Sequence, residues 1–117
     1  MRPQLLDLHR ALVDSERREY ERARGRVTDR AFLEALIGAP ELAWLGALTS
    51  LIVRLEEVLE EPAHEAALQD CVAELRKLLK PAPEGPPFQR KYAEAMQRSP
   101  EVVVAHGRAI SALSQAP

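Results

Sequence analysis

Three histidines and one glutamate raise the question of chemistry in this chain. His9 and Glu16 lie in "LHRALVDSERREY" (8–20), His106 lies in "VVVAHGRAISAL" (102–113), and His64 follows "EPA". Placed on a helix at about 100° per residue, His9, Glu16 and Tyr20 fall within the apolar arc of Leu5, Leu8, Leu12, Val13 and Ala23. Glu16 sits near the centre of that arc, while Asp7, Arg10, Asp14, Arg17, Arg18 and Glu21 occupy the far side. His106 falls among Val102, Val103, Ala109, Ile110 and Leu113, and His64 faces inward at a helix start. A buried carboxylate must find donors or take up a proton. The pattern therefore predicts a buried polar network of His9, Glu16, Tyr20 and His106, with Tyr20, His106 or Arg90 donating to Glu16. Glu16 and Tyr20, four residues apart, are within mutual reach. His9 is two turns from Glu16 and joins it only through another helix.

The chemistry such a set suggests is a metal or redox centre in a bundle core, with His9, Glu16 and His106 as ligands. Spacing weighs against it. A di-iron bundle site needs two inward Glu-x-x-His motifs, and the chain offers only "EPAH" (61–64), which Pro62 turns into a helix beginning. Three histidines fall short of a hemerythrin-like ligand set, and neither Cys-x-x-Cys nor a haem-attachment motif occurs. "AHGRAISAL" (105–113) resembles the histidine helix of phosphotransfer four-helix domains, but bulky Ile110 and an inward ring fit that role poorly. Cys71, between Leu68 and Leu75, suits an inert buried thiol. Phosphate loops, Walker motifs and nucleophile elbows are missing. The expectation is a protein without cofactor that leans away from catalysis.

Helices must position these residues, because periodicity near 3.6 runs through the chain. The first helix is predicted over about 3–24, begun by Pro3 and stopped by Gly25. Thr28 caps "DRAFLEALIG", which Gly38 ends. Pro40 restarts the chain as "PELAWLGALTSLIVRLEEVLE", with Trp44, Leu48, Leu51, Leu55, Val58 and Leu59 on one stripe. Pro62 is predicted to open a helix reaching about Leu79, with Leu68, Cys71, Val72, Leu75, Leu78 and Leu79 inside. "KPAPEGPP" (80–87) reads as an extended, stiff linker. "FQRKYAEAMQR" and "EVVVAHGRAISAL" follow, the latter capped by Ser99 and opened by Pro100. Val102, Val103 and Val104 alone read as strand, yet those flanks assign them to the helix. The fold class is an all-α, single-domain bundle of four to six helices spanning 1–117.

Composition agrees. Length 117 suits one core, and only 4% aromatic residues against 46% hydrophobic leaves Ala and Leu to fill it. A net charge of −2 gives no general field for nucleic acid. The most apolar window, 42–53, is shorter than the roughly 20 residues of a membrane span. With no signal peptide and one cysteine, the expectation is a cytoplasmic protein; its Arg and Ala bias points to a GC-rich bacterial genome. Six arginines against three acids in 17–30, and seven acids without Lys or Arg in 56–75, predict an electrically lopsided molecule. Such a molecule suits a protein partner or a homo-oligomer, and Tyr20 alone among the arginines supports no base stacking.

"LHRALVDSERREYE" near the start, with "FQRKYAEAMQRSPEVVVAH" near the end, resembles a group of small bacterial helical proteins of no assigned function. The resemblance implies a helical fold and transfers no activity. The functional expectation is a non-catalytic interaction or regulatory module; the alternative is a bundle binding a metal or small ligand through its polar layer.

Overall fold

The computed structural model describes residues 1–116, and these form six α-helices and one 3-10 segment. Helix α1 (Arg2–Arg24) is followed by α2 (Asp29–Gly38) and the 3-10 segment Pro40–Leu45. Then come α3 (Gly46–Glu60), α4 (Glu65–Leu78), α5 (Pro87–Arg98) and α6 (Pro100–Ser114). The fold is an all-α bundle, with 82% of its residues helical.

Helix α1 is the spine. Leu5, Leu8, Leu12 and Ser15, spaced three and four apart, are its fully buried stripe. Helices α3 and α6 both run antiparallel to it: Arg2 pairs with Glu56 and His9 with Thr49 on one side, Arg18 with Glu101 on the other. Leu48, Ile52 and Leu55 of α3 meet Leu68, Cys71, Val72 and Leu75 of α4 in the same core, which Val102, Ala105, Ala109 and Leu113 of α6 complete. A smaller cluster of Phe32, Ala35 and Leu42 seats α2 over α1, against Val13 and Tyr20.

Local signals set most of the helix limits. Gly25 ends α1 at φ +85°, which a side chain would strain. Thr28 Oγ1 accepts from the Ala31 amide at 3.1 Å, the predicted cap. Residues 102–104 lie within α6 as predicted.

Three local expectations are corrected. Pro62 does not open α4: Glu61 before it is extended, Ala63 takes φ +52°, and the helix starts only at Glu65. Trp44 belongs to the 3-10 segment rather than to one long helix. The proline segment is not extended either. Gly85 donates to the Ala82 carbonyl at 3.0 Å, closing a turn, and Ala82 donates to the Gln89 carbonyl at 3.2 Å, folding the segment onto α5. No single helix in the described residues is long and apolar enough to cross a membrane; the pair Asp29–Gly38 and Pro40–Glu60 passes on length and composition but is bent by 77°.

Two glycines test this packing in opposite directions. A Cβ on Gly85 would stand 2.7 Å from Ala82 Cβ, so Gly85→Ala should destabilise by about 1–3 kcal/mol. A Cβ on Gly107, inside α6, meets nothing within 4 Å, so Gly107→Ala should stabilise by about 0.5–1 kcal/mol. Urea midpoints of the two variants check both signs.

Candidate functional site

The structure does not gather the predicted polar layer into one site. Its four members occupy four places, each with its own neighbour.

Glu16 belongs to the largest polar junction. Its carboxylate accepts from Arg98 Nη2 at 2.8 Å, with side-chain exposures of 12% and 24%. The donor is thus Arg98, at the end of α5, and not Arg90, Tyr20 or His106. Arg98 also donates to Ser15 Oγ, from Nη2 at 3.0 Å and Nε at 3.3 Å. Ser99 Oγ donates to the same oxygen at 2.8 Å and accepts from Arg18 Nη2 at 3.3 Å. The hydroxyl predicted to cap α6 is therefore turned onto α1, and its backbone carbonyl alone meets the Val102 and Val103 amides. Sequence reasoning missed Ser15 and Arg98. The signal for Ser15 was its place in the 5, 8, 12, 15 series.

Tyr20 makes no hydrogen bond to Glu16. Its ring meets Phe32 edge-on at 5.8 Å and lies 4.2 Å beneath the Arg24 guanidinium. Both residues line a charged cleft of about 270 Å³ with Glu19 and Lys91, and the Arg24–Glu41 pair at 2.8 Å spans its wall.

His9 is half-buried. Its Nε2 is 2.9 Å from Thr49 Oγ1, whose own hydrogen goes to the Leu45 carbonyl at 3.2 Å. Nε2 therefore carries the proton and donates. Burial pulls the His9 pKa below 6.5. The residue lies at the floor of a groove of about 410 Å³, lined by Val13, Leu36, Ile37 and Leu42.

His106 pairs with a residue that sequence reasoning passed over. Tyr92 is fully buried, and its hydroxyl is bonded to His106 Nδ1. Burial raises the Tyr92 pKa, so the phenol keeps its proton. A buried hydroxyl needs an acceptor, and Nδ1 is the one it meets, which leaves the proton of the neutral imidazole on Nε2. Burial lowers the His106 pKa as well. The dyad ends a run of edge-on and tilted rings, Trp44–Phe88–Tyr92–His106, with centroids 5.2, 5.7 and 5.4 Å apart. Spacing of 88 and 92 on α5 held the signal.

His64 caps the turn before α4, its Nδ1 2.6 Å from the Glu61 carbonyl. Cys71 is fully buried, directs Sγ at the Leu51 carbonyl at 3.8 Å, and has its pKa raised by burial with a partial offset from Arg54. His9, Glu16 and His106 do not converge, and no three His, Cys, Asp or Glu among the described residues are placed to hold one metal ion.

The basic stretch is also different from its sequence appearance. Arg17 pairs with Asp29 at 2.8 Å, Arg18 with Glu101 at 3.7 Å and Arg22 with Glu19 at 3.7 Å. Arg24 pairs with Glu41 at 2.8 Å and Arg30 with Glu34 at 3.5 Å. Only Arg26 of the six has no ion pair among the described residues. In the acidic run, Arg2 and Arg54 answer Glu56 and Glu74, which leaves Glu57, Glu60, Glu61, Glu65 and Asp70 exposed.

No family model, curated protein or solved structure matches this chain.

Two expectations follow. Glu16→Ala should cost about 1.5–3 kcal/mol, the usual range for a hydrogen bond to a charged group. Replacing both partners, as Glu16→Met with Arg98→Met, should cost less than the sum of the singles, with a coupling of about 1 kcal/mol or more in a double-mutant cycle. The second concerns pH. His9 and His106 bind protons less readily folded than unfolded, so their contribution is complete above about 6.5 and is lost as pH falls through the lower folded values. Tm should drop between pH 7.5 and 5, and His9→Gln with His106→Gln should flatten that drop.

Proposed function

We propose that this protein is a non-catalytic interaction module that pairs with a second copy of itself through α2. The observation that carries the reading is Ile37, 81% exposed, beside an apolar groove. Leu33, one turn earlier on the same face, is 57% exposed. The groove walls are Val13, Leu36, Leu42 and Leu45, and its floor is the His9–Thr49 pair. A knob beside a hole on one surface is self-complementary, as a two-fold contact requires. Arg30 and Glu34, both largely exposed on α2, supply a rim carrying both signs of charge.

The non-catalytic part rests on how the polar candidates are engaged. Glu16, Tyr20 and His9 are each held by a structural neighbour, and the buried Cys71 thiol is pushed away from the thiolate. The alternative of a ligand-binding bundle has separate support in the groove beside His106.

Fully burying a Leu or Ile contributes about 1.5–3 kcal/mol, while association costs about 4–15 kcal/mol. Two such residues per copy contribute about 6–12 kcal/mol in all, so a dimer forms only where the association cost lies near its lower end, and it is then weak, with Kd in the micromolar-to-millimolar range. Light scattering across a concentration series should show the mass rising above 13.1 kDa. Ile37→Glu should hold it at the monomer value, and Val103→Glu on α6 should leave the rise intact. A wild-type protein that stays monomeric at about 1 mM overturns the reading. So does a dimer broken by the α6 change and not by the α2 change.

A further inference from the structure

A second groove, of about 330 Å³, lies between the end of α4, the segment that follows it, and α6. Arg76, Lys80 and His106 give it three basic groups, Leu79, Pro81 and Ile110 give it apolar walls, and no acidic side chain lines it. This is unlike the cleft beside Glu16, where acids and bases are mixed.

The imidazole in this groove is oriented from behind. Tyr92, fully buried, holds Nδ1, so the ring's remaining polar atom is a donating Nε2–H without a partner among the described residues. A histidine serving only to satisfy Tyr92 would need no basic neighbours. The end of α6 would repel an anion through its free carbonyls, but Arg76 Nη2 already donates to the Leu113 carbonyl there. The Gln115 and Ala116 amides return to Ala112 and Leu113 at 3.2 and 3.3 Å. That end is therefore largely satisfied, and the remaining guanidinium donors keep their charge. Lys80 lies beyond the last turn of α4 and makes no ion pair among the described residues.

We propose that this groove binds a small organic carboxylate: the carboxylate against Lys80, Arg76 and His106 Nε2–H, the apolar body against Leu79, Pro81 and Ile110. Apolar walls favour an organic acid over an inorganic anion, and the volume suits an aromatic or short aliphatic body. A point charge at Lys80 and the guanidinium donors of Arg76 meet a planar carboxylate well. The site is remote in sequence from α2 and independent of the pairing proposed above.

The test titrates benzoate, benzyl alcohol and inorganic phosphate separately into the full chain, followed by heteronuclear NMR at the His106 ring, Ile110 and Lys80. Benzoate should give saturable shifts at all three, with Kd of about 0.1–10 mM. Benzyl alcohol should bind about tenfold more weakly or not at all. Lys80→Gln, a change at an exposed position, should weaken benzoate about fivefold or more. Tyr92→Phe should weaken it as well and move the His106 ring from the Nε2–H tautomer to a mixture, a spectroscopic change that a role in packing alone would not produce. Lack of saturable shifts, or a Lys80→Gln protein that binds benzoate unchanged, overturns the proposal. Phosphate binding as tightly as benzoate overturns the organic part and leaves a simple anion site.

Discussion

A buried hydroxyl governs the architecture. Ser15 occupies the fourth position of the only fully buried stripe on α1, where a fourth leucine would simply extend the core. Its oxygen cannot be left unpaired in that setting, and it draws in both Arg98 and Ser99. Those two residues form the sharp join between α5 and α6, so one serine fixes where two helices meet the spine. The cost is the side-chain cap of α6, which Ser99 surrenders and which Pro100 and Glu101 in the first turn partly offset. The junction ties the end of α5 and the start of α6 to α1, and the core residues of both helices hold the rest of their length.

Helix limits were legible where they are local: Gly25 needs its positive φ, Thr28 reaches an amide three residues on, and Pro100 begins a helix, whereas Pro87, read as the end of the linker, in fact opens α5. The polar partners were not legible because they are tertiary. An arc of Leu5, Leu8, Leu12, Val13 and Ala23 puts Glu16 near its middle, whereas the fully buried seam runs 5, 8, 12, 15, without Val13, and leaves Glu16 at its edge. From there a carboxylate can reach Arg98 on α5, a contact 82 residues away that no spacing encodes. Pro62 misled for a different reason. A proline can start a helix, but it also extends the residue before it, and with Ala63 left-handed the second effect prevails.

Charge followed the same logic. The arginines of 17–30 read as a basic surface only while their partners are unknown. Arg17 alone engages Asp29 and the Val27 carbonyl and lies 5.3 Å from the Phe32 ring, which ties α2 to the spine. Arginine suits this work, since its planar fork bonds in the plane and stacks on its face. Among the described residues Glu57, Glu60, Glu61 and Glu65 at the tip between α3 and α4 make no ion pair, so the lopsidedness survives from its negative side.

The five aromatic residues show why the grooves fall where they do. Leu and Ala fill the spaces between the long helices, where regular ridges meet. Tyr20 and Phe32 stand at the seam of α2 with α1, while Trp44, Phe88 and Tyr92 join the 3-10 segment, α5 and α6. These are the places where a short or irregular element meets a helix at an angle that alternating leucines cannot fill. A flat ring closes such a gap only along its own plane, and a groove lies where the longer run ends. Tyr20 lines the charged cleft beside Glu16, and the run through Trp44, Phe88 and Tyr92 ends at His106 in the groove between α4 and α6. The groove at His106 thus opens where a run of rings from the core reaches the surface. A histidine suits that end, because a half-wet imidazole tolerates both a core neighbour such as Tyr92 and water.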